Sequence, residues 1–313
     1  MLDGNAAALI GLVGINVFWG ASSIAAKEAL LELNAVEICT IRFAIACAAV
    51  LAIALAFSPG ALRISLRDVP LLIFLSVAGV SLQFVLQVTS LAYTTVTNFS
   101  LLFNMSTFFI MVLGALLLGE RLTGEKLLGA GIAFAGLSLI VSGGSLDLSS
   151  SHLPGDLTGL ASAALFGVYT IAMKRAACRY RPLTILAYTF LFGVIGLLPF
   201  YMLGTPMTPP ADISPLSWAA LLFLALCCSV IAFLVYNHGV GKLRASEVGM
   251  TIYVTPLAGV ALAVVLLGEP LTALTVTGAA LIMMGMYVSR SRDAGPAPEP
   301  PAEAAAPVEA GGG

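Results

Sequence analysis

Ten runs of mostly apolar residues, separated only by short connections, limit what this 313-residue chain can become. They cover approximately 6–27, 36–57, 69–92, 97–118, 126–143, 156–174, 183–203, 216–236, 246–267 and 275–290. A helix needs ~20 such residues to cross the hydrocarbon core of a bilayer. No connection could fold as a soluble domain, so function has to reside in the helices. Composition agrees: 59% of residues are hydrophobic, 10% are charged, and mean hydropathy is +1.03. A soluble domain is about 45–50% apolar and about 25% charged. The expected fold is an all-α integral membrane protein with ten transmembrane helices. The first run is kept as a span, because Asp3 is the only charged side chain before Lys27 and a secretory signal opens with basic residues. The Pro-, Ala-, Glu- and Gly-rich segment 293–313 is expected to be a disordered cytoplasmic tail.

Charge tests the span count. With the N-terminus cytoplasmic, the cytoplasmic segments hold Arg63, Arg67, Arg121, Lys126, Lys174, Arg175, Arg179, Arg181, Lys242, Arg244, Arg290 and Arg292. That is 12 of the 14 basic residues; Lys27 and Arg42 fall on the outer side. The positive-inside rule is satisfied, and a miscounted helix would scramble it. Both termini are therefore expected in the cytoplasm. The five cysteines lack metal-ligand spacing and are read as small packing residues, with no metal site.

One phrase occurs twice. "LLLGERLT" begins at Leu116 and "VLLGEPLT" at Val265, 149 positions later. The match continues through Gly129, Ala130 and Gly136, which recur as Gly278, Ala279 and Gly285. Upstream, "GASSIAAKEA" from Gly20 resembles "GVYTIAMKRA" from Gly167, with Lys27 answered by Lys174. The chain therefore reads as two five-helix repeats, 1–147 and 148–292. Five is odd, so the second repeat is expected to be inverted in the membrane, a plan common among secondary transporters. Gly119 and Gly268 suit the left-handed conformation that ends a helix. Glu120 and Glu269 sit at the membrane edge, where each can accept from N–H groups left unpaired at the start of the next helix. These four residues read as a structural corner repeated in both halves.

The Trp19-Gly20 pair, the two Leu-Gly-Glu phrases and "GAGIAFAG" from Gly129 together resemble the drug/metabolite transporter superfamily, specifically its EamA-type ten-helix members. The resemblance covers about residues 6–292 and is strongest to bacterial exporters of aromatic and other neutral amino acids. It implies a secondary transporter of the bacterial inner membrane. The family commonly carries a proline in the fourth helix of each half. Here Pro256 occupies that place in the ninth run, but Thr107 stands at the equivalent position in the fourth, so unequal helix kinks or gates are expected.

Polar and aromatic residues inside spans mark the expected substrate path, since a lipid-facing polar group is costly. The candidates are Asn16, Trp19 and Ser23; Gln83 and Gln87; Ser100 and Asn104; Phe166 and Tyr169; Phe233 and Asn237; and Tyr253. Interhelical hydrogen bonding or packing explains each of them equally well. No acidic or basic residue falls near the middle of a run, and Arg42 lies about two turns into the second. An amide- and aromatic-lined path without charge suits an amphipathic solute or a zwitterion. The function expected is export of aromatic and other neutral amino acids by alternating access, gradient-driven, with weak or no proton coupling. An exchanger of nucleotide sugars or other metabolites, or a channel, is the alternative. An enzyme is disfavoured, because His152 and His238 lack catalytic partners such as an HExxH motif. No catalytic residue, cofactor or nucleic-acid partner is expected. The partners are a small-molecule substrate and the lipid bilayer, and the protein is expected as a monomer or weak dimer.

Overall fold

The computed structural model describes residues 4–94, 99, 102–142, 153–203, 208–267 and 273–289. Every regular element among them is helical: α1 (Gly4–Ala29), α2 (Ala35–Phe57), α3 (Leu66–Tyr93), α4 (Ser106–Leu118), α5 (Gly124–Ser142), α6 (Leu153–Ala177), α7 (Pro182–Leu203), α8 (Pro215–Lys242), α9 (Ala245–Thr251), α10 (Val254–Leu267) and α11 (Ala273–Ser289). Among the described residues six helices, α1, α2, α3, α6, α7 and α8, are long and apolar enough to cross a membrane. The tail and the corner residues Gly268 and Glu269 lie outside the described residues.

Local chemistry sets the helix starts. Asn34 accepts from the N–H groups of Val36 and Glu37, while Glu37 accepts from the Asn34 N–H, closing a capping box on α2. Ser214 caps α8 from the Ser217 N–H, with Pro215 supplying the preset first-turn dihedral. Gly119 ends α4 at φ 68°, as its place in the repeated phrase predicts.

Two helices widen into π turns, α3 at Val77–Ser81 and α8 at Leu226–Ile231. The turns begin 149 residues apart, the spacing of the repeated phrase. Packing exchanges the halves: α2 lies against α7 and the π turn of α8, and α7 lies against the π turn of α3. The fourth helix of each half is also broken. A turn at Met105 precedes α4, and Ile252–Tyr253 separates α9 from α10. Pro256 explains the second break, since it has no N–H to donate backward. The first occurs with Thr107 in the equivalent place, so the expected asymmetry in bending is not what the backbone adopts; both halves break at the same level.

Bonds between connections sort the helix ends into two faces. On one, Tyr180 donates to Asp68 at 2.6 Å, Arg179 pairs with Asp68 at 2.5 Å, and Glu120 reaches the start of α9. On the other, the Thr208 N–H donates to Glu37 at 2.6 Å, the Ser214 N–H to Glu32 at 2.9 Å, and the Thr94 hydroxyl to Asp156 at 2.6 Å. The Ser214 hydroxyl beside Glu32 holds that carboxyl below its usual range. Lys174 lies near the first of these faces and Lys27 near the second.

Candidate functional site

The interior is built around aromatic pairs that are equivalent by the repeat. Trp19 meets Phe166 at 6.0 Å between ring centroids, Phe43 meets Phe190 at 5.3 Å, and Phe84 meets Phe233 at 6.0 Å. Their sequence offsets are 147, 147 and 149. A residue touches its own counterpart only beside the axis relating two halves, so the rings stand around that axis. Tyr236 joins them, 5.3 Å from Trp19 and 5.4 Å from Phe166, and Tyr169 lies 6.0 Å from Phe233. Edge and offset ring contacts of this kind contribute about 0.5–1.5 kcal/mol each beyond burial.

Polar side chains are threaded through the rings. Trp19 Nε1 donates to the Cys228 carbonyl at 3.1 Å, within the π turn of α8. Tyr169 donates to Asn237 Oδ1 at 2.9 Å, and Gln83 Nε2 donates to Ser162 at 3.1 Å and to Gln87 at 3.0 Å. Gln83 and Asn237 are both fully buried. With the amides placed by this network, Gln83 Oε1 and Asn237 Nδ2 have no hydrogen-bond partner among the described residues. A buried amide atom without a partner is unusual in a native interior. The site therefore holds one spare acceptor and one spare donor.

Arg42 departs from the expectation of a charge-free path. The sequence reading sets it two turns into the second run, away from the middle, but its side chain packs inward and is 3% exposed. The guanidinium carbon lies 4.5 Å from the centre of the Phe84 ring and 5.2 Å from that of Phe43, and Nε donates to Ser229 at 2.8 Å. Arginine favours such stacking because its planar cation meets the negative face of a ring. It therefore touches two rings of the axial cluster.

Lysines clamp both ends in the same way. Lys27 Nζ donates to the Thr94 carbonyl at 3.4 Å, and Lys174 Nζ donates to the Leu243 carbonyl. Thr94 and Leu243 terminate α3 and α8, so the matched lysines of the repeat do matched work on carbonyls that a helix end leaves open. At the Lys174 end Glu120 adds a further tie. Its carboxylate accepts from the N–H groups of Ala245 at 2.6 Å and Ser246 at 3.1 Å, and lies 3.9 Å from Lys174 Nζ. The corner expectation is corrected here: Glu120 caps α9, in the other half, not the next helix α5.

The remaining candidates are dispersed. Asn16 donates to the Leu12 carbonyl at 2.5 Å and accepts from Thr255 at 2.6 Å, linking α1 to α10. Thr107 donates to the Gly249 carbonyl at 2.9 Å, and Asn104 is buried near it in the chain. Tyr253 turns from the axial rings toward α5, donating to the Ala130 carbonyl at 3.3 Å. Ser23 and Pro256 are half-buried, and Ser100 lies outside the described residues. A cavity of about 460 Å³ opens at the Lys27 face, between Leu33, Asn34, Tyr93 and Tyr201; no axial ring lines it. Sequence reasoning missed Tyr236, Arg42, and the Phe43/Phe190 and Phe84/Phe233 pairs. Extending the 147- and 149-residue comparison to phenylalanines would have found both pairs.

Comparison with known proteins decides what the repeat belongs to. The model of the EamA-like transporter family matches residues 6–142 and again 153–291. The chain belongs to the EamA-like transporter family. An uncharacterized transporter from Archaeoglobus fulgidus is 31% identical over 277 residues, covering 88% of this chain and 94% of the relative. A probable terminal-alkyne amino-acid exporter from Streptantibioticus cattleyicolor is 28% identical, covering 78% of this chain and 81% of that protein. A probable amino-acid metabolite efflux pump from Salmonella typhimurium is 25% identical over 61% of this chain and 66% of its own length. A solved crystal structure shares the fold with a TM-score of 0.74 at 22% identity, covering 89% of this chain and 95% of that one. The EamA chain is thus a multi-pass membrane transporter of small molecules, not an enzyme.

Proposed function

We propose that this EamA chain is a ten-span carrier of two inverted halves that exports aromatic and other neutral amino acids by alternating access. One observation carries the reading: an axial cluster of paired rings contains a buried, unused amide acceptor and a buried, unused amide donor. Gln83 Oε1 suits an ammonium group, Asn237 Nδ2 suits a solute oxygen, and Trp19, Phe166, Phe233 and Tyr236 suit an aromatic side chain. The names of two relatives, a probable terminal-alkyne amino-acid exporter and a probable amino-acid metabolite efflux pump, support amino acids or their metabolites as the broader class. Alternating access is supported by the equivalent lysine clamps, since releasing one while keeping the other would open the cluster to one face at a time. No carboxylate stands among the axial rings described above, which supports movement down the solute gradient with weak or no proton coupling.

Counterflow into liposomes tests the function. Purified protein should exchange labelled phenylalanine saturably without an imposed pH gradient, and Trp19→Ala and Gln83→Leu should each reduce exchange about tenfold or more while leaving the protein monodisperse. Saturable exchange of nucleoside or sugar phosphates with none of amino acids would replace the substrate assignment, and uptake that demands a pH gradient would overturn the uncoupled mechanism.

Orientation has its own test. With both termini in the cytoplasm of a bacterial inner membrane, the exposed thiol of Cys178 faces inward, beside the basic α6–α7 connection. An impermeant maleimide should label intact cells no better than a Cys178→Ala control, and should label inverted vesicles strongly. The reverse pattern would reverse the topology.

A further inference from the structure

We propose that Arg42 is the carboxylate-binding residue of the transported solute. This rests on the reading of the axial cluster as the substrate path and names the charge that the path selects.

The argument begins with the expense of burying the side chain. A guanidinium presents five N–H donors and stays charged at any physiological pH. Inside a membrane protein, such a group is kept only when it is paired or serves a pathway. Arg42 lies seven residues past the start of α2, roughly 10 Å along the helix axis, and is 3% exposed. Among the described residues Ser229 is its only hydrogen-bond partner, engaging Nε alone, and no carboxylate lies within ion-pair distance. Ser229 accepts from Nε while donating its own proton to the Leu224 carbonyl at 2.9 Å, and a neutral hydroxyl leaves the charge uncompensated. The two terminal amino groups, which form the fork that grips a planar carboxylate, are left for something else.

The surroundings say what that something is. The cation rests on Phe84, whose ring meets both Phe43 at 4.8 Å and Phe233 at 6.0 Å, and Phe233 lies 5.9 Å from Trp19. A carboxylate on the fork thus has its attached apolar group directed by a continuous aromatic wall. Lys27 and Lys174, the matched lysines of the repeat, are both engaged with helix-end carbonyls, and among the described residues the contacts recorded for Arg42 include no second cation. One cation suits a monoanionic carboxylate better than a phosphate dianion. The guanidinium also bridges α2 and the π turn of α8, a helical irregularity often found at working sites. Symmetry adds a further point. The counterpart of Arg42 at the 147-residue spacing is Thr189, so the charge is present in one half only. A residue serving merely to hold α2 on α8 would have an equivalent holding α7 on α3. There the tie is a plain hydroxyl, Ser81 donating to the Gly193 carbonyl at 2.9 Å.

The test compares acids with their amides on the full-length protein. Thermal unfolding in detergent is measured with phenylalanine, 3-phenylpropionate, their carboxamides, phenethylamine and a phenyl phosphate ester; counterflow is measured with the same panel in liposomes. In wild type the two carboxylates should stabilise the protein and compete about tenfold to a hundredfold better than their amides. Arg42→Gln should abolish that preference, and Arg42→Lys should keep it at lower affinity. If both acids and both amides act equally on wild type, the proposal is overturned whatever the variants do, so a poorly folding variant cannot rescue it. Stronger binding of the phosphate ester than of the acids would also overturn it. Carboxylate binding that depends on Arg42 without any amino-acid counterflow would leave Arg42 in its role and remove the amino-acid assignment instead.

Discussion

A Glu120→Ala variant should lose several degrees of thermal stability and at least nine-tenths of transport. The carboxylate, 3% exposed, satisfies two N–H groups at the start of α9 and faces Lys174. Removing one partner of a buried ion pair costs about 3–5 kcal/mol because the other charge is stranded. Losing a helix cap costs about 0.5–2 kcal/mol. The 3.9 Å separation and the partial exposure of Lys174 place the sum near the lower end, about 3 kcal/mol. Under the alternating-access mechanism proposed above, a cost of that size borne by the form closed at the Lys174 end would shift the balance of open and closed forms by about a hundredfold. Glu120→Gln retains one acceptor but brings an amide N–H toward two donors, so it should fall between alanine and wild type. Unfolding temperatures and counterflow rates measure both. Wild-type values for the alanine variant would show that the contact holds nothing closed.

The second large effect belongs to α5 and α11. A Cβ added at Gly129 would stand 2.5 Å from the Gly285 carbonyl oxygen and 2.6 Å from the Ser289 nitrogen; one added at Gly136 would stand 2.5 Å from the Gly278 carbonyl oxygen. These are backbone atoms, which cannot swing aside as a side chain can. The two contacts are repeat equivalents, so the same glycines that recur in sequence face each other across the pair. Apolar burial does not drive helix association in lipid; close backbone packing does. Gly129→Leu should therefore separate the helices, with an overpacking penalty of about 3 kcal/mol or more. The expected result is a broad or void-volume peak in size-exclusion chromatography. A control at Gly131, where an added Cβ meets nothing, should elute as wild type. A sharp wild-type peak from Gly129→Leu would exclude close packing at this crossing.

Much of this molecule was legible in its sequence because the bilayer imposes local rules. Span length follows from membrane thickness, and the expected distribution of lysine and arginine follows from the side each connection would occupy. Neither depends on what touches what. Duplication was equally readable, and it anticipated more: the 149-residue spacing of the Leu-Gly-Glu phrases also aligns the π turns and Phe84 with Phe233, and the 147-residue spacing of the matched lysines aligns Trp19 with Phe166 and Phe43 with Phe190. Candidates on α1, α3, α6 and α8 do meet, because polar and aromatic residues at helical spacing share a face.

Tertiary structure alone decided the partners. Arg42 reads as a peripheral charge until the rotation of α2 turns it onto Phe84, and Tyr253 reads as a path residue until α9 and α10 turn it toward α5. Glu120 reads as the cap of the helix that follows it, yet it caps one 125 residues away. The physical reason is common to all three. Periodicity fixes which residues share a face of a helix, whereas the neighbour that face meets is set by rotation and crossing angle, which arise only when every helix is packed at once.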